Sequence, residues 1–180
     1  LPHGRGSFMQ PPAKGGAYGG GGFTYSGEMV AGVRCGGGVI TFHSSGDSIE
    51  GEWAEDGSLS DAFVRFASGG QYDGDLDSDL QPHGDGRRVY ADGSRYSGGF
   101  IHGARDGHGT FQLPNGDEYD GGWLLDQRHG HGTQRLADGG TYEGGFVGGL
   151  REGHGLMRFA NGSSYAVSYT HLRAHETLDH

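Results

Sequence analysis

Hydrophobic and polar positions recur at an interval of 23 residues through the second half of this chain. Successive segments begin at Tyr96, Tyr119 and Tyr142, and Tyr165 follows at the same interval. Self-similarity at a fixed period of this size is the signature of a repeat architecture. The sequence therefore predicts an array of one structural unit rather than a single layered core.

Each unit opens with a tyrosine, a glycine pair and a second aromatic residue. In the unit that begins at Tyr119, the tyrosine, Gly121 and Trp123 stand at positions 0, 2 and 4. Side chains alternate between the two faces of a strand, so these three share one face of an extended chain. A helix would scatter them. The opening of each unit is therefore predicted to be a β-strand.

The rest of each unit predicts a second strand and a closing turn. Gly130-His131-Gly132 follows eleven residues after Tyr119, and Asp138-Gly139 then marks a turn. Two short strands joined by glycine-containing turns make one β-hairpin for each unit. A single hairpin is marginally stable in water, so the hairpins must stack on one another.

The strand glycines are predicted to lie beneath aromatic rings. Glycine normally weakens a strand, but a ring that covers it stabilises a curved sheet. A ladder of rings along one face follows from this placement. Its members are Tyr96, Phe100, Tyr119, Trp123, Tyr142 and Phe146.

The opening Tyr-x-Gly-Gly-(Phe/Trp), the later Gly-x-Gly and the closing glycine resemble the MORN (membrane occupation and recognition nexus) repeat. The resemblance implies an all-β fold, an elongated, single-layer, twisted antiparallel sheet of successive MORN β-hairpin repeats. It also implies a scaffold or targeting module rather than a catalyst.

The array is expected to span residues 25–165. Residues 1–24 are expected to hold a partial repeat and a Pro/Gly-rich linker, and Tyr18 and Tyr25 both fit the start of the first complete unit. Because Leu1 is not a start methionine, the chain is expected to be a fragment of a longer array. The expected units are 25–48, 49–71, 72–95, 96–118, 119–141 and 142–164.

Two of these units are irregular. In the unit 49–71, Ile49 replaces the tyrosine and the paired glycines are lost, but Phe63 and Phe66 keep the second strand apolar, so its hairpin is expected to survive. The unit 72–95 is one residue longer than the others. The insertion is expected at the hairpin tip, near residues 78–82.

The period ends after Tyr165, where Val167 stands in place of the expected glycine. Residues 166–180 are therefore expected to form a non-repeat tail. Residues 168–177 resemble a translated sequencing-library adapter, and two interpretations of the tail stay open, native and adapter-derived.

Composition and charge narrow the range of partners and locations. The net charge is −10, and an acidic ribbon is a poor candidate for binding nucleic acid. No apolar run approaches the ~18 residues that a membrane-spanning helix needs. The single Cys35 fits a reducing compartment, so a cytoplasmic location is expected, with association to membrane or cytoskeleton as a further expectation.

Recurrent histidines and aspartates are candidate metal ligands. Equivalent positions of consecutive hairpins lie two strands apart, roughly 9–10 Å, so His108, His131 and His154 cannot share one zinc ion, which holds its nitrogens at about 2.0–2.1 Å. An alternating acidic run lies on the face opposite Tyr72. It is interpreted as a solvated face, with weak calcium binding as the alternative, and consists of Asp73, Asp75, Asp77 and Asp79.

Catalytic motifs are incomplete in this chain. His175-Glu176 begins a metalloprotease HExxH motif, but Asp179 stands where the second histidine belongs. Glycine-rich phosphate loops need a strand before them and a helix after them, and the repeats predict no such helix. We therefore expect no enzymatic activity, no cofactor and no metal site.

The expected function is a non-catalytic scaffold for protein–protein interaction or self-association. Because no second layer covers the ring face, part of the six rings is expected to stay accessible and to bind a partner, together with the open sheet edges. One alternative is a phosphoinositide or membrane-targeting module that contacts anionic phospholipid through Arg105, Arg128 and Arg151, which recur at 23 residues. Another is the regulatory array of a larger enzyme, a lipid kinase or lysine methyltransferase.

Overall fold

The computed structural model describes residues 4–10 and 21–169, and all regular structure within them is β-strand. Over these residues, fourteen antiparallel strands form one open sheet in sequence order, which confirms the predicted all-β fold of successive hairpins. This part of the chain contains no helix that is long and apolar enough to cross a lipid bilayer. The strands are β1 Gly4–Gln10, β2 Phe23–Val30, β3 Val33–Phe42, β4 Ser48–Trp53, β5 Leu59–Arg65, β6 Gly70–Leu76, β7 Pro82–Tyr90, β8 Arg95–Ile101, β9 Ala104–Gln112, β10 Glu118–Leu124, β11 Gln127–Arg135, β12 Thr141–Val147, β13 Leu150–Arg158 and β14 Ser164–Tyr169.

Glycines of neighbouring strands face one another across the sheet. Within the unit 119–141, Gly121 on β10 pairs with Gly132 on β11. Gly132 in turn pairs with Gly144 on β12 of the next unit. From β6 to β13 the glycine positions therefore form a continuous row across the strands.

A tyrosine ring occupies the space above each glycine pair. A Cβ atom added to Gly132 would lie 2.6 Å from Cε2 of Tyr119, and one added to Gly121 would lie 2.7 Å from the hydroxyl of the same ring. The hydroxyl donates a hydrogen bond of 2.9 Å to the carbonyl of Gly122. The prediction that rings cover the strand glycines is confirmed. The same arrangement recurs at Tyr25, Tyr72, Tyr96 and Tyr142.

The rings also pack against one another, edge to face. The Tyr119 ring lies 5.3 Å from that of Trp123 in its own unit and 4.9 Å from that of Phe146 in the next. Such pairs contribute about 0.5–1.5 kcal/mol each beyond the burial of their area. The indole nitrogen of Trp123 donates to the carbonyl of Gly109, in the preceding unit. Each unit is therefore stabilised by contact with its neighbours.

The first glycine of each Gly-x-Gly forms a bulge. Gly98 pairs with Gly109 and Phe100 pairs with Arg105, so β9 carries extra residues between these two pairs. Gly107, within the bulge, has a φ of 77°, a left-handed conformation that glycine adopts without steric cost. With this bulge, β9 keeps its pairing with both β8 and β10.

Both irregular units keep their hairpin. Ile49 pairs with Val64 between β4 and β5, and both side chains are fully buried, so the predicted survival of this hairpin is confirmed. In the unit 72–95, five residues separate the paired Leu76 and Pro82, whereas four separate Phe100 from Arg105, the corresponding pair of the next unit. The insertion therefore lies at the hairpin tip, as predicted.

β1 has the register of the second strand of a repeat. Gly6 pairs with Gly27 and Gly4 pairs with Met29, which repeats the pairing of the second strand β9 with β10. Tyr25 covers its own glycine pair in the same way as the later tyrosines do. Tyr18, the other residue considered for the start of the first unit, lies outside the described residues.

β14 continues the sheet through the first residues of the expected tail. Tyr169 stands four residues after Tyr165, the same offset that separates Trp123 from Tyr119. Its ring lies 5.6 Å from that of Tyr142. Val167 replaces the glycine whose absence marked the expected end of the array. It is accommodated because the Tyr165 ring, which would cover this position in a regular unit, is 54% exposed and stacks on Phe159. Residues 170–180, with most of the adapter-like segment, lie outside the described residues.

Replacing Tyr119 by phenylalanine is expected to lower the free energy of unfolding by about 0.5–1.5 kcal/mol, because the variant loses one buried hydrogen bond and keeps the ring. Urea denaturation followed by tryptophan fluorescence measures the change. Tyr165→Phe on β14 is the matched control, since its ring is 54% exposed, and we expect its effect to stay within about 0.5 kcal/mol. Equal effects of the two substitutions would contradict the role given to the buried hydroxyl.

Candidate functional site

The six rings predicted to form an interaction surface are buried. The expectation that part of them stays accessible is wrong, because neighbouring rings, the bare backbone of the glycine pairs and arginine side chains cover them within a single layer. Whether this face binds a partner stays a prediction. The exposed fractions are 1% for Tyr96, 2% for Phe100, 3% for Tyr119, 6% for Trp123, 0% for Tyr142 and 1% for Phe146.

Arginine side chains lie over the rings. The guanidinium carbon of Arg105 is 4.1 Å from the centre of the Trp123 ring, and that of Arg151 is 4.5 Å from Tyr142. Arg128 lies over Tyr119 and Phe146 at 5.6 and 5.3 Å. Cation–π contacts of this kind gain strength when water is excluded. The arginines therefore complete the cover of the ring ladder.

Two of these arginines also connect neighbouring units. Nη2 of Arg105 donates to the carbonyl of Asp126 at 2.9 Å, and Nη2 of Arg128 donates to the carbonyl of Gly149 at 2.6 Å. Asp126 and Gly149 each belong to the tip of the following hairpin. All three guanidinium groups of the predicted lipid-contact stripe thus lie against aromatic rings of the sheet, and two of them also donate to tip carbonyls.

Arg34 belongs to the same set and was not predicted from the sequence. Its guanidinium lies 5.7 Å from the Trp53 ring and 6.0 Å from the Tyr25 ring. Burial lowers the pKa of this arginine. A sequence signal exists, because Arg34 precedes Gly38 by four residues, as Arg105 precedes Gly109.

Burial raises the pKa of the ladder tyrosines, to about 12 at Tyr119, from an ordinary value of 10.0. Above pH 10 the unfolded chain loses phenolic protons that the folded chain keeps, so the free energy of unfolding falls as the pH rises from about 10 to 12. We expect tyrosinate absorbance to appear together with the loss of β-sheet circular dichroism in an alkaline titration. Full tyrosinate formation near pH 10 with the sheet intact would contradict this burial.

Exposed apolar side chains lie at and beside the hairpin tips, on the face opposite the rings. Ile101 and Leu124 directly follow the buried Phe100 and Trp123, so their side chains point to the other face. Equivalent positions of consecutive hairpins are roughly 9–10 Å apart, close enough for leucine-sized side chains to form one surface. We name this surface the hairpin-tip row. Its members and their exposed fractions are Ile101 44%, Leu124 46%, Leu125 67%, Val147 43% and Leu150 60%.

Leu125 occupies an unfavourable backbone conformation at the centre of this row. Leu125 and Asp126 have φ values of 47° and 68°, as in the two-residue type I′ turns that prefer Asn-Gly or Gly-Gly. The next hairpin has Gly148-Gly149 at its tip. Asp126 gains the contacts to Arg105, but Leu125 is mostly exposed, so packing within the sheet does not account for a leucine here. Backbone strain at an exposed side chain is a reason to look for function.

The acidic run 73–79 is not uniformly solvated. The side chain of Asp77 is only 10% exposed, so the expectation of a solvated residue is wrong there, because the longer tip folds around it. Oδ1 accepts hydrogen bonds from the backbone N–H groups of Asp79 and Gln81 at 2.9 and 3.0 Å. Oδ2 lies 2.6 Å from Nδ1 of His102, in the next unit.

The structure brings together one group of possible metal ligands that the sequence analysis missed. Within residues 4–10 and 21–169, only Asp77, His83 and His102 place three ligand atoms within 4.8 Å of one another. His108, His131 and His154 are exposed. The interpretation of each Gly-x-Gly as a turn is wrong, because these histidines lie at bulges inside the second strands β9, β11 and β13. Spacing alone could not reveal the group, because its members come from two different units.

A single open sheet of hairpins that share one ring ladder defines a repeat protein of the elongated scaffold class. The family model described as "MORN repeat" matches residues 25–46, 81–95, 96–118, 119–141 and 142–164. These segments cover more than half of the chain, and the chain belongs to the MORN-repeat family. MORN repeats are non-catalytic and form scaffolds for protein or membrane interaction.

Comparison with curated proteins gives no match. Among solved structures, the chain is similar to the SAS-4 (dCPAP) TCP domain of Drosophila melanogaster, which was solved in complex with a proline-rich motif of Ana2 (dSTIL). The two are 12% identical over 74% of this chain and 84% of that chain, and the TM-score is 0.40. It is also similar to the G-box domain of the microcephaly protein CPAP, at 11% identity over 92% of this chain and 100% of that chain, with a TM-score of 0.35. Likenesses this remote carry no conclusion about function.

Proposed function

We propose that this chain is a non-catalytic MORN scaffold that binds a protein partner, a second copy of itself included, through the hairpin-tip row. The observation that supports this most is the exposed Leu125, which stands at a left-handed tip position where glycine or asparagine would be favoured. The proposal moves the contact surface from the ring ladder, whose side chains are occupied with one another, to the opposite face.

The hairpin-tip row has the character of a protein-binding surface. Contiguous exposed apolar area on a protein surface marks an interaction site more often than not. The members of the row belong to three successive hairpins. A partner can therefore contact several units at once, and its own contact groups must match the distance between hairpins. Charged groups lie beside it, among them Asp126 and Asp106, which is the usual polar rim around an apolar contact.

The lipid-binding alternative has less support. Anionic lipid attracts free basic side chains, whereas Arg105 and Arg128 donate hydrogen bonds to carbonyls of the next hairpin tip. The net charge of −10 also disfavours binding to an anionic surface. A cytoplasmic location is part of the proposal and is in keeping with the free thiol of Cys35. The regulatory-array alternative concerns sequence outside this chain and stays a prediction.

The double substitution Leu125→Asn and Leu150→Thr is expected to weaken association at least tenfold without destabilising the sheet. Asparagine suits the positive φ of residue 125 and threonine suits a strand, so only the apolar surface is lost. Sedimentation velocity measures self-association, and quantitative mass spectrometry of captured proteins measures partner binding. Leu113→Thr is the matched control, because Leu113 is also exposed, at 39%, but lies on the ring face.

We expect the wild type and the Leu113→Thr variant to associate equally, and the double variant to lose at least tenfold in affinity. A wild type that stays monomeric at high concentration, with captured proteins identical to those of the double variant, would contradict the proposal. Loss of association in the Leu113→Thr variant alone would place the interface on the ring face instead.

A further inference from the structure

Two hairpin tips meet where the unit 72–95 contacts the unit 96–118. The N–H of Gly103 donates to the carbonyl of Pro82 at 2.8 Å, so the tip of β8–β9 rests on the start of β7. At this junction Asp77 and His83 of one unit approach His102 of the next, with one ligand atom from each lying within 4.8 Å of the others. The two imidazole rings are 5.5 Å apart.

This junction lacks the arginine that links the later units. Pro82 pairs with Leu76 in the way that Arg105 pairs with Phe100, so proline occupies the arginine position. No guanidinium from position 82 can therefore reach the tip of the next hairpin. The contact between Asp77 and His102 takes the place of that link.

The carboxylate of Asp77 is held in one orientation. Its Oδ1 accepts two backbone hydrogen bonds from the tip, from Asp79 and Gln81, which leaves Oδ2 directed at His102 at 2.6 Å. Metal-binding carboxylates are commonly oriented by such hydrogen bonds from outside the ligand set. The tip that His102 occupies is also fixed, with a φ of 47° at His102 and 82° at Gly103.

His83 supplies a second indication of a missing ligand. Its Nδ1 is buried and has no hydrogen-bond partner among the described residues. A buried polar atom without a partner is costly and calls for an explanation. A cation bound through Nδ1 would give this atom a partner.

We propose that Asp77, His83 and His102 form a three-ligand site for a divalent transition metal of the zinc class. Two imidazoles and one carboxylate suit Zn²⁺, whereas Ca²⁺ and Mg²⁺ prefer oxygen ligands alone. Tetrahedral zinc holds its ligand atoms about 3.4 Å from one another. The 2.6 Å contact between Asp77 and His102 would therefore open by less than about 1 Å on metal binding. Three protein ligands leave a fourth position for water or for a side chain of a partner. The metal joins two units at the one described junction where proline replaces the arginine that links the later units.

The test is a titration of the full, metal-free chain with Zn²⁺ by calorimetry, and with Co²⁺ by visible absorption. The informative variant is His102→Asn, because Asn-Gly is the favoured type I′ pair, so the tip is kept while the imidazole is lost. His83→Gln removes the second imidazole. His154→Asn is the matched control, since His154 is an exposed histidine outside the cluster.

We expect the wild type and the His154→Asn variant to bind one Zn²⁺ at this site, with the absorption of tetrahedral Co²⁺. His102→Asn and His83→Gln should each weaken this binding by about 100-fold or more. Zn²⁺ should raise the melting temperature of the wild type and leave that of His102→Asn unchanged, since only binding to the folded state stabilises it. No saturable binding by the wild type, or equal binding by wild type and His102→Asn, would overturn the proposal.

Discussion

Replacing Gly132 by alanine is expected to lower the free energy of unfolding by about 3 kcal/mol, the upper part of the range for overpacking a filled core. The added methyl group would lie 2.6 Å from Cε2 and 2.7 Å from Cζ of the Tyr119 ring. That ring cannot withdraw, because Trp123 and Phe146 pack on its sides and Arg128 lies over it. Urea denaturation followed by circular dichroism measures the loss.

Gly6→Ala is the matched control for this substitution. Gly6 holds the corresponding position on β1, but a Cβ atom there would meet nothing within 4 Å. We expect its effect to stay below about 0.5 kcal/mol. A double-mutant cycle with Tyr119→Leu should show strong coupling, because a smaller side chain leaves space for the methyl group. If Gly132→Ala proved neutral, the ring could not lie over this glycine.

Replacing Arg128 by alanine is expected to cost about 2 kcal/mol of unfolding free energy. The variant loses the contacts of the guanidinium with the rings of Tyr119 and Phe146 and its hydrogen bond to the carbonyl of Gly149. Cation–π contacts contribute up to about 2 kcal/mol when desolvated, and a hydrogen bond from a charged group about 1.5–3 kcal/mol. These terms overlap, since the same group makes both.

The control for Arg128 is Arg158→Ala, an arginine that is exposed at the end of β13, with an expected effect within about 0.5 kcal/mol. The comparison also separates the structural role from lipid binding. An Arg128→Ala variant with unchanged stability that loses salt-sensitive binding to phosphoinositide liposomes would contradict the structural role of Arg128. It would favour the lipid-contact stripe.

The first strand and the single hairpin of each unit could be predicted from the sequence because both follow from periodicity. Tyr119, Gly121 and Trp123 alternate at spacing two, and the 23-residue interval repeats one hairpin after another. The inserted residue in the unit 72–95 could be placed for the same reason, since a hairpin tip accepts an extra residue without disturbing the pairing of its strands. The start of the second strand could not be predicted, because the Gly-x-Gly lies at a bulge inside that strand and not in a turn.

The accessibility of the rings could not be predicted, because it depends on which side chains lie over them. The sequence shows that Arg105 recurs at the period, but not that its guanidinium reaches across to the next hairpin. The metal-ligand group was missed for a related reason, since Asp77 and His102 meet only when two tips stack. The hairpin-tip row did carry a signal, the apolar residue that directly follows Phe100, Trp123 and Phe146.

Acrylamide quenching of tryptophan fluorescence in the dilute, monomeric protein tests the central claim most directly, namely that the ring ladder is buried within one layer of sheet. The chain has two tryptophans. Trp123 is a member of the ladder and is 6% exposed, and Trp53 packs against the Tyr25 ring and is 3% exposed. The structure predicts blue-shifted emission and weak quenching that do not depend on protein concentration. Quenching as strong as that of the urea-unfolded chain, or protection that appears only when the protein associates, would contradict the claim and make the ring face the interface.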